Sequence, residues 1–346
     1  MSERMIDLRS DTVTLPTAEM KQAIANAALG DDGYNEDPTV SQLQELAAEK
    51  VGMEAGLYVP SGTMGNSCAL LAHTRPGEDV FFEERAHMFA GERRDFATVA
   101  GGVVPHSMMG EFGVIRPKQL EESIRSGTVS QPSLMCIENT HNGSGGSAWS
   151  PAEVVALSTA IRQRSLKLHL DGARIFNAAV AHGVDVKEYT RHVDSVMFCA
   201  SKGLSAPVGS LLCGSRAFIE EAHHVRKRLG GTMRQAGIIA AAAVVALDKM
   251  VDRLAEDHET ARLLSEGLAE VEGMKVVRPP TPTNFVMVNV ENLGWTSEEL
   301  VEKWKEYGIR CNPRPPVSAR LVAHRHITAE NVAYVVDTTH RLVKAR

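Results

Sequence analysis

LKLHLDGARIFNAAVAHGVDVKEYTRHVDSVMFCASKGL, residues 166–204, decides the fold. It opens on an alternating apolar stretch, LKLHL, that stops at Asp171 in DGAR, and it closes on a second, SVMFCA, that stops just before Lys202 in SKGL. Short apolar runs bounded by turn residues read as strands, and a helical pattern between them gives the unit of a parallel sheet. In open α/β sheets ligands gather outside the carboxyl ends of the strands, so Asp171 and Lys202 are expected to face one site.

Working outward, AGLYVP, DVFFEE, HSMMG, SLMCIEN and SLLCGS are further strand candidates, with helical patterns between many of them. TAEMKQAIANAALG reads as a helix ended by Gly30, DDGYNEDPTV as a loop, and SQLQELAAEKVG as an amphipathic helix. Helices are expected over SRAFIEEAHHVRKRL and over the Ala-rich run from Gln235 to about Ala255. Beyond residue 256 the pattern becomes helix, strand FVMVNV, helix SEELVEKWKEYG, strand RLVAH and a terminal helix from about Ala329 to Lys344. The expected organisation is an irregular arm at 1–15, a large domain with a mostly parallel sheet at 16–255, and a small α+β domain at 256–346.

A chain of 346 residues has ample length for two such units. Its 37 Lys and Arg against 43 Asp and Glu leave a net charge of -6, which argues against a general nucleic-acid or anionic-membrane binder. The five cysteines form no CxxC pair and several lie in apolar runs, so they read as buried, reduced thiols. No secretory h-region opens the chain and no 18-residue apolar span follows, so a cytoplasmic protein acting on small molecules is expected.

A carboxylate and an amine at neighbouring strand ends suit pyridoxal 5'-phosphate. That cofactor needs an acid partner for its protonated ring nitrogen and a lysine for its aldehyde. Either residue alone would read as a turn Asp or a surface Lys. SGTMGN follows a strand and opens a helix, so Gly62 and Thr63 are candidates for holding a phosphate at the positive helix end, although Ser-Gly-Thr is also an ordinary N-cap. Arg234 in GGTMRQAG is a second phosphate candidate, against the plainer reading of a solvated Arg in a Gly-rich loop. His87 is a candidate to stack on a ring, though a lone His is more often structural or exposed. Among the many arginines the residues alone do not single out Arg9, Arg174 or Arg320, nor Ser10 among the serines. Metal and nucleophile motifs fare worse: His223 and His224 cannot share a helix face, and His324 and His326 lack a third ligand nearby. Neither a G-x-S-x-G elbow nor a G-x-G-x-x-G fingerprint is present.

The strings DLRSDTVT, GDDGYNEDPTV, VPSGTMGN, ENTHN, HLDGARIFNAA, DSVMFCASKGL, PVGS, RKRLGGTMRQAG and RLVAH, in this order, resemble the L-threonine aldolase family. The resemblance implies the aspartate-aminotransferase-like fold type I of pyridoxal-phosphate enzymes, and retro-aldol cleavage of L-threonine, L-allo-threonine and related β-hydroxy-α-amino acids to glycine and an aldehyde. It makes Lys202 the Schiff-base lysine and Asp171 the partner of the ring nitrogen. Gly62, Thr63 and Arg234 fall to the phosphate, Arg234 from a neighbouring subunit, and His87 to stacking on the ring. Arg174 falls near the cofactor's phenolic oxygen and the substrate carboxylate, Ser10 and Arg320 to that carboxylate, His141 in ENTHN to the substrate hydroxyl, and Lys227 close to the site. The base is left open between His87, His141 and a water, and a homotetramer with shared sites is implied. The alternatives are another reaction of the same cofactor (β-elimination, racemisation or transamination) and a non-catalytic binder of pyridoxal phosphate. Two departures stand out: Thr232 in GGTMRQ where the family has GGGMRQ, and the proline-rich NPRPPVSAR before Arg320.

Overall fold

The computed structural model describes residues 5–91 and 102–345. Its main sheet has seven strands in the order Ala55–Val59, Ser210–Gly214, Ser195–Cys199, Lys167–Asp171, Pro132–Glu138, Asp79–Glu83 and Val104–Met108. Ser210–Gly214 runs antiparallel to both neighbours, and the other pairings in this sheet are parallel. Parallel strands are covered by helices on both faces, so they are written as near-continuous apolar runs; Leu134 to Ile137 are all buried. That is why the expected strands and the observed ones coincide so closely. The outer strand Val104–Met108 starts earlier than HSMMG suggests, because most of it is exposed and little apolar pattern marks it.

The helices match less evenly. The first, Ala18–Ala25, ends before Gly30. The next starts at Pro38 rather than after DPTV, because Asp37 caps it by accepting from the Thr39 and Val40 amides while Pro38 takes the first-turn position, where no N–H is needed. The Ala-rich helix, Gly237–Lys249, stops short of Ala255, and a turn that contains neither Gly nor Pro parts it from Leu254–Ala269, the helix expected from about residue 256.

A second sheet, antiparallel, has the order Asn312–Arg314, Ser318–Val322, Phe285–Asn289, Lys275–Val277. It packs with Leu254–Ala269 and Ala329–Lys344 around a core that includes Leu264, Val288, Trp304 and Leu321. The N-terminal segment is less irregular than expected. Ile6–Asp7 pairs in parallel with Ile309–Arg310, and Ile6 and Leu8 are buried in this second core. The segment then turns through Asp11–Val13 toward the carboxyl ends of the main sheet. Among the described residues no helix is long and apolar enough to cross a membrane.

Candidate active site

The carboxyl ends of the parallel strands open on a cavity of about 480 Å³, within the usual size of small-molecule sites. Asp171, Lys202, Gly62 and Thr63 all line it. Asp171 ends its strand and is 2% exposed. Its Oδ1 accepts from the Ala173 amide at 3.1 Å, which turns the chain after the strand, and its Oδ2 accepts from Asn66 Nδ2 at 2.9 Å. Gly172 is required next, since a Cβ there would lie 2.9 Å from the Met197 carbonyl oxygen. Lys202 sits in the turn after Ser195–Cys199, and its carbonyl accepts from Thr14 Oγ1 at 2.8 Å.

Ser61 caps the helix Gly62–His73, its Oγ accepting from the Met64 amide at 3.2 Å. First-turn amides have no acceptor within a helix, and those of Gly62 and Thr63 border the cavity at the positive helix end. Gly62 has a packing reason as well: a Cβ would lie 2.9 Å from Cys199 Sγ.

The opposite wall is cationic. Arg174, Arg314 and Arg320 all line the cavity. Arg174 is gripped by Asp11, its Nε 2.7 Å from Oδ2 and its Nη2 2.5 Å from Oδ1. Burial alone would raise the Asp11 pKa, but Arg174, with Lys202 behind it, holds it down at about 2. Arg320 Nη1 donates to Asn142 Oδ1 at 2.6 Å, while its buried Nε has no protein partner. Burial, together with the charges of Arg314 and Arg174, pushes Arg320 down to about 10 against the opposing charge of Asp11. Both Arg174 and Arg320 lie over the Phe285 ring, at 4.8 and 5.2 Å from its centroid.

The other expected residues divide. Ser10 lines the cavity, with its Oγ accepting from the Thr12 amide at 3.2 Å. His87, exposed, also lines it, and its amide donates to Glu138 Oε2 at 2.6 Å. His141, expected at the substrate hydroxyl, is not among the lining residues: it is fully buried, with Nε2 3.0 Å from Glu83 Oε2 and 4.0 Å from Glu138 Oε2. Burial disfavours its charge, yet the carboxylates of Glu138 and Glu83 win and raise its pKa. Its neighbour Asn142 reaches the cavity instead. Lys227 is exposed on the helix Arg216–Arg228, and Arg234, 70% exposed, pairs with Asp31 at 3.4 Å. Neither lines the cavity within one chain. Arg9 is paired with Asp7.

Of the two departures, Thr232 fits the backbone, since the positive φ of that turn falls on Gly230, at 77°, and the tightest approach on Gly231, where a Cβ would meet Met64 Sδ; its buried hydroxyl finds no partner among the described residues. The proline-rich stretch forms the strand Asn312–Arg314 and delivers Arg314 to the cavity. Asp11, Asn66, Glu138, Asn142 and Arg314 were not singled out from the sequence. Asn66 lies inside SGTMGN, Glu138 and Asn142 begin and end ENTHN, and Asp11 lies inside DLRSDTVT, yet the attention in those strings fell on their neighbours.

The model of the family described as beta-eliminating lyase matches residues 7–291. The chain is 41% identical over 344 residues to low-specificity L-threonine aldolase 1 of Arabidopsis thaliana, covering 97% of this chain and 96% of that one. It is 42% identical over 335 residues to the low specificity L-threonine aldolase of Escherichia coli strain K12, covering 96% and 97%. A solved threonine aldolase from Leishmania major superposes with a TM-score of 0.82 over 97% of this chain and 99% of that chain, at 20% identity. Serine palmitoyltransferase of Sphingomonas wittichii superposes at 0.79 over 99% and 88%, at 16% identity, which speaks to the fold alone.

Proposed function

The chain belongs to the beta-eliminating lyase family and groups there with the low-specificity L-threonine aldolases, and we propose the following reading of its site. The protein is a pyridoxal-phosphate-dependent lyase that cleaves L-threonine, L-allo-threonine and related β-hydroxy-α-amino acids to glycine and an aldehyde. The observation that carries this reading is the meeting, in one cavity, of a buried carboxylate, a lysine, a helix N-terminus and an arginine wall with an unpaired buried donor.

The residues present fit the cofactor. The amides of Gly62 and Thr63 offer the positive helix end to its phosphate, Asp171 meets its ring nitrogen, and Lys202 supplies the amine for its aldehyde. When bound, pyridoxal phosphate supplies an electron-withdrawing ring that accepts the electron pair of the breaking bond. Asp171, kept in place by Asn66 and the Ala173 amide, holds the proton on the ring nitrogen. Arg320 Nε, with Ser10 beside it, takes the substrate carboxylate. Arg174 is committed to Asp11 and acts as a fixed positive wall more than as a clamp. Holding the substrate carboxylate at Arg320 and Ser10 would fix the orientation of the bond to be broken, a positioning effect. His87 at the cavity takes the β-hydroxyl proton, directly or through water, as that bond breaks; a neutral imidazole suits this task near pH 7.

Arg234 is read as serving the neighbouring subunit of a homo-oligomer. Leu29, Tyr34 and Ile238, all exposed, lie on the segments that hold its loop, which supports a contact surface there. Five buried free cysteines fit a reducing, cytoplasmic setting. The test is incubation of the cofactor-loaded protein with L-threonine and L-allo-threonine while glycine and acetaldehyde are measured. Equal amounts of both products are expected. A 2-oxo acid in their place would overturn the aldol reading.

A further inference from the structure

From Asp171 a line of polar side chains runs into the apolar interior of the main sheet. Asn66 Nδ2 lies 2.9 Å from Asp171 Oδ2, and Asn66 Oδ1 lies 3.2 Å from His169 Nε2. His169 Nδ1 is 2.8 Å from Ser195 Oγ, and the same oxygen is 2.7 Å from His73 Nε2. Asn66, His169 and Ser195 are 1% exposed or less, and the half-buried His73 closes the line with its ring stacked on Phe218. The placement follows from simple periodicities. His169 and Asp171, two apart on one strand, share a sheet face, and His169 stands opposite Ser195 in the parallel pair. Asn66 and His73 are seven apart on the helix Gly62–His73, so both hang from one side of it, two turns apart.

The chemistry of each group fixes the direction of the line. An ionised carboxylate only accepts, so Asn66 must donate to Asp171 through Nδ2 and turn its carbonyl oxygen to His169. The reverse orientation would set two acceptors 2.9 Å apart. His169 must then carry its proton on Nε2, which leaves Nδ1 to accept from the Ser195 hydroxyl. Ser195 in turn accepts from the Nε2 proton of His73. Burial keeps both rings neutral, His169 at about 3 and His73 at about 4, so neither arrangement is disturbed by imidazolium near pH 7. Every donor points toward Asp171, and hydrogen bonds aligned in this way polarise one another.

We propose that His169 is a positioning residue for Asp171, with its tautomer set by Ser195 and His73, so that the line holds the Asn66 N–H on the carboxylate and keeps that carboxylate aimed. The proposal rests on the reading that Asp171 meets the ring nitrogen.

The test begins with 15N-histidine-labelled protein free of cofactor at pH 7. His169 and His73 should both be neutral with the proton on Nε2. Ser195→Ala removes the donor to His169 Nδ1, so a population protonated on Nδ1 should appear, whereas Ser195→Thr should keep the wild-type tautomer. After loading with pyridoxal phosphate, Ser195→Ala should shift the visible band of the bound cofactor and lower kcat about fivefold with KM unchanged, and Ser195→Thr should restore both. A wild-type His169 protonated on Nδ1 or on both nitrogens overturns the direction of the line. A Ser195→Ala protein with wild-type band and kcat overturns the positioning role. Failure of the wild-type protein to take up pyridoxal phosphate overturns the ring-nitrogen reading instead, and the tautomers still decide the line.

Discussion

Arg174 and Asp11 form a buried, two-pronged ion pair between the N-terminal segment and the turn after the central strand, at 2.7 and 2.5 Å. Asn284 Nδ2 adds a third donor to Asp11 at 3.3 Å. The pair ties a segment that carries Ser10 to the same wall of the cavity that Arg174 forms. Asp11→Asn leaves a buried guanidinium without its counter-charge, so a loss of about 3 kcal/mol or more is expected. In the wild-type protein the pKa of Asp11, depressed from 3.8 to about 2, contributes stability that is present above the unfolded value and lost as pH falls toward 2. The shift corresponds to about 2 kcal/mol. Urea unfolding of the cofactor-free protein at pH 7 and at steps below pH 4 checks both parts: the gap between the two proteins should narrow with acid, and a constant gap would count against the ion pair as its source.

Lys202→Ala should remain folded yet fail to hold the cofactor covalently. The main chain at Lys202 is fixed by Thr14 Oγ1 and by the Ser205 amide, both bonding its carbonyl, and these contacts survive truncation of the side chain. Borohydride reduction in the presence of pyridoxal phosphate, followed by peptide mapping, should label Lys202 in the wild-type protein and nothing at comparable level in the variant. Equal labelling of another lysine would move the assignment there.

The parts of the molecule that were readable in advance share a physical cause. Strands buried on both faces must be apolar at nearly every position, so Pro132–Glu138, Lys167–Asp171 and Ser195–Cys199 stood out, and a charged residue at the end of such a run, Asp171 or Lys202, stood out with them. The break between Gly237–Lys249 and Leu254–Ala269 carries no Gly or Pro and left no local mark. Ile6 and Leu8 alternate, as a half-buried strand should, but a stretch this short cannot be told from a polar arm by pattern alone. Asp11 and Asn142 open single short turns of helix and Arg314 ends a three-residue edge strand, elements too brief to leave a pattern; Asp11 and Asn142 join the site by contact with segments more than a hundred residues away. His169 was not singled out, although a histidine inside the buried run LKLHL, two before Asp171, is a signal that could have found it, since an uncompensated polar group there would be costly.

His141 is expected to act on stability and substrate affinity rather than as the base. Held between Glu83 and Glu138, it has a pKa raised above its ordinary 6.5, so its contribution is fully present below that value and lost as pH rises through the folded pKa. His141→Phe removes the cation that Glu83 and Glu138 share, while Glu83 keeps Arg85 and the Gly110 amide and Glu138 keeps the His87 and Asn142 amides, so a cost of about 1–3 kcal/mol follows at pH 6, shrinking at alkaline pH. Because Asn142, next in the chain, holds Arg320, KM for threonine should rise by more than kcat falls. Thermal unfolding across pH and steady-state kinetics check these outcomes. Unchanged stability at pH 6 combined with a collapse of kcat alone would return His141 to the chemistry.

Arg234 supplies the last expectation. In one chain it is largely exposed, pairs weakly with Asp31, and does not line the cavity, while Gly62 and Thr63 offer the phosphate only backbone amides and a hydroxyl. Its loop is bound to the segment that carries the exposed Tyr34, since the Asp32 amide donates to the Arg234 carbonyl at 2.9 Å. If that surface meets a second copy, each site borrows the guanidinium of its neighbour. Lys202→Ala and Arg234→Ala homo-oligomers should then both be impaired, the second through weaker cofactor binding. In a mixed dimer one site combines the intact Lys202 of the Arg234→Ala subunit with the intact Arg234 of the Lys202→Ala subunit. Random re-pairing of equal amounts should therefore restore about a quarter of wild-type activity, half the dimers being mixed and half their sites complete. Recovery no greater than the sum of the two parents, or full activity in a species that sediments as a monomer, would place Arg234 outside the site.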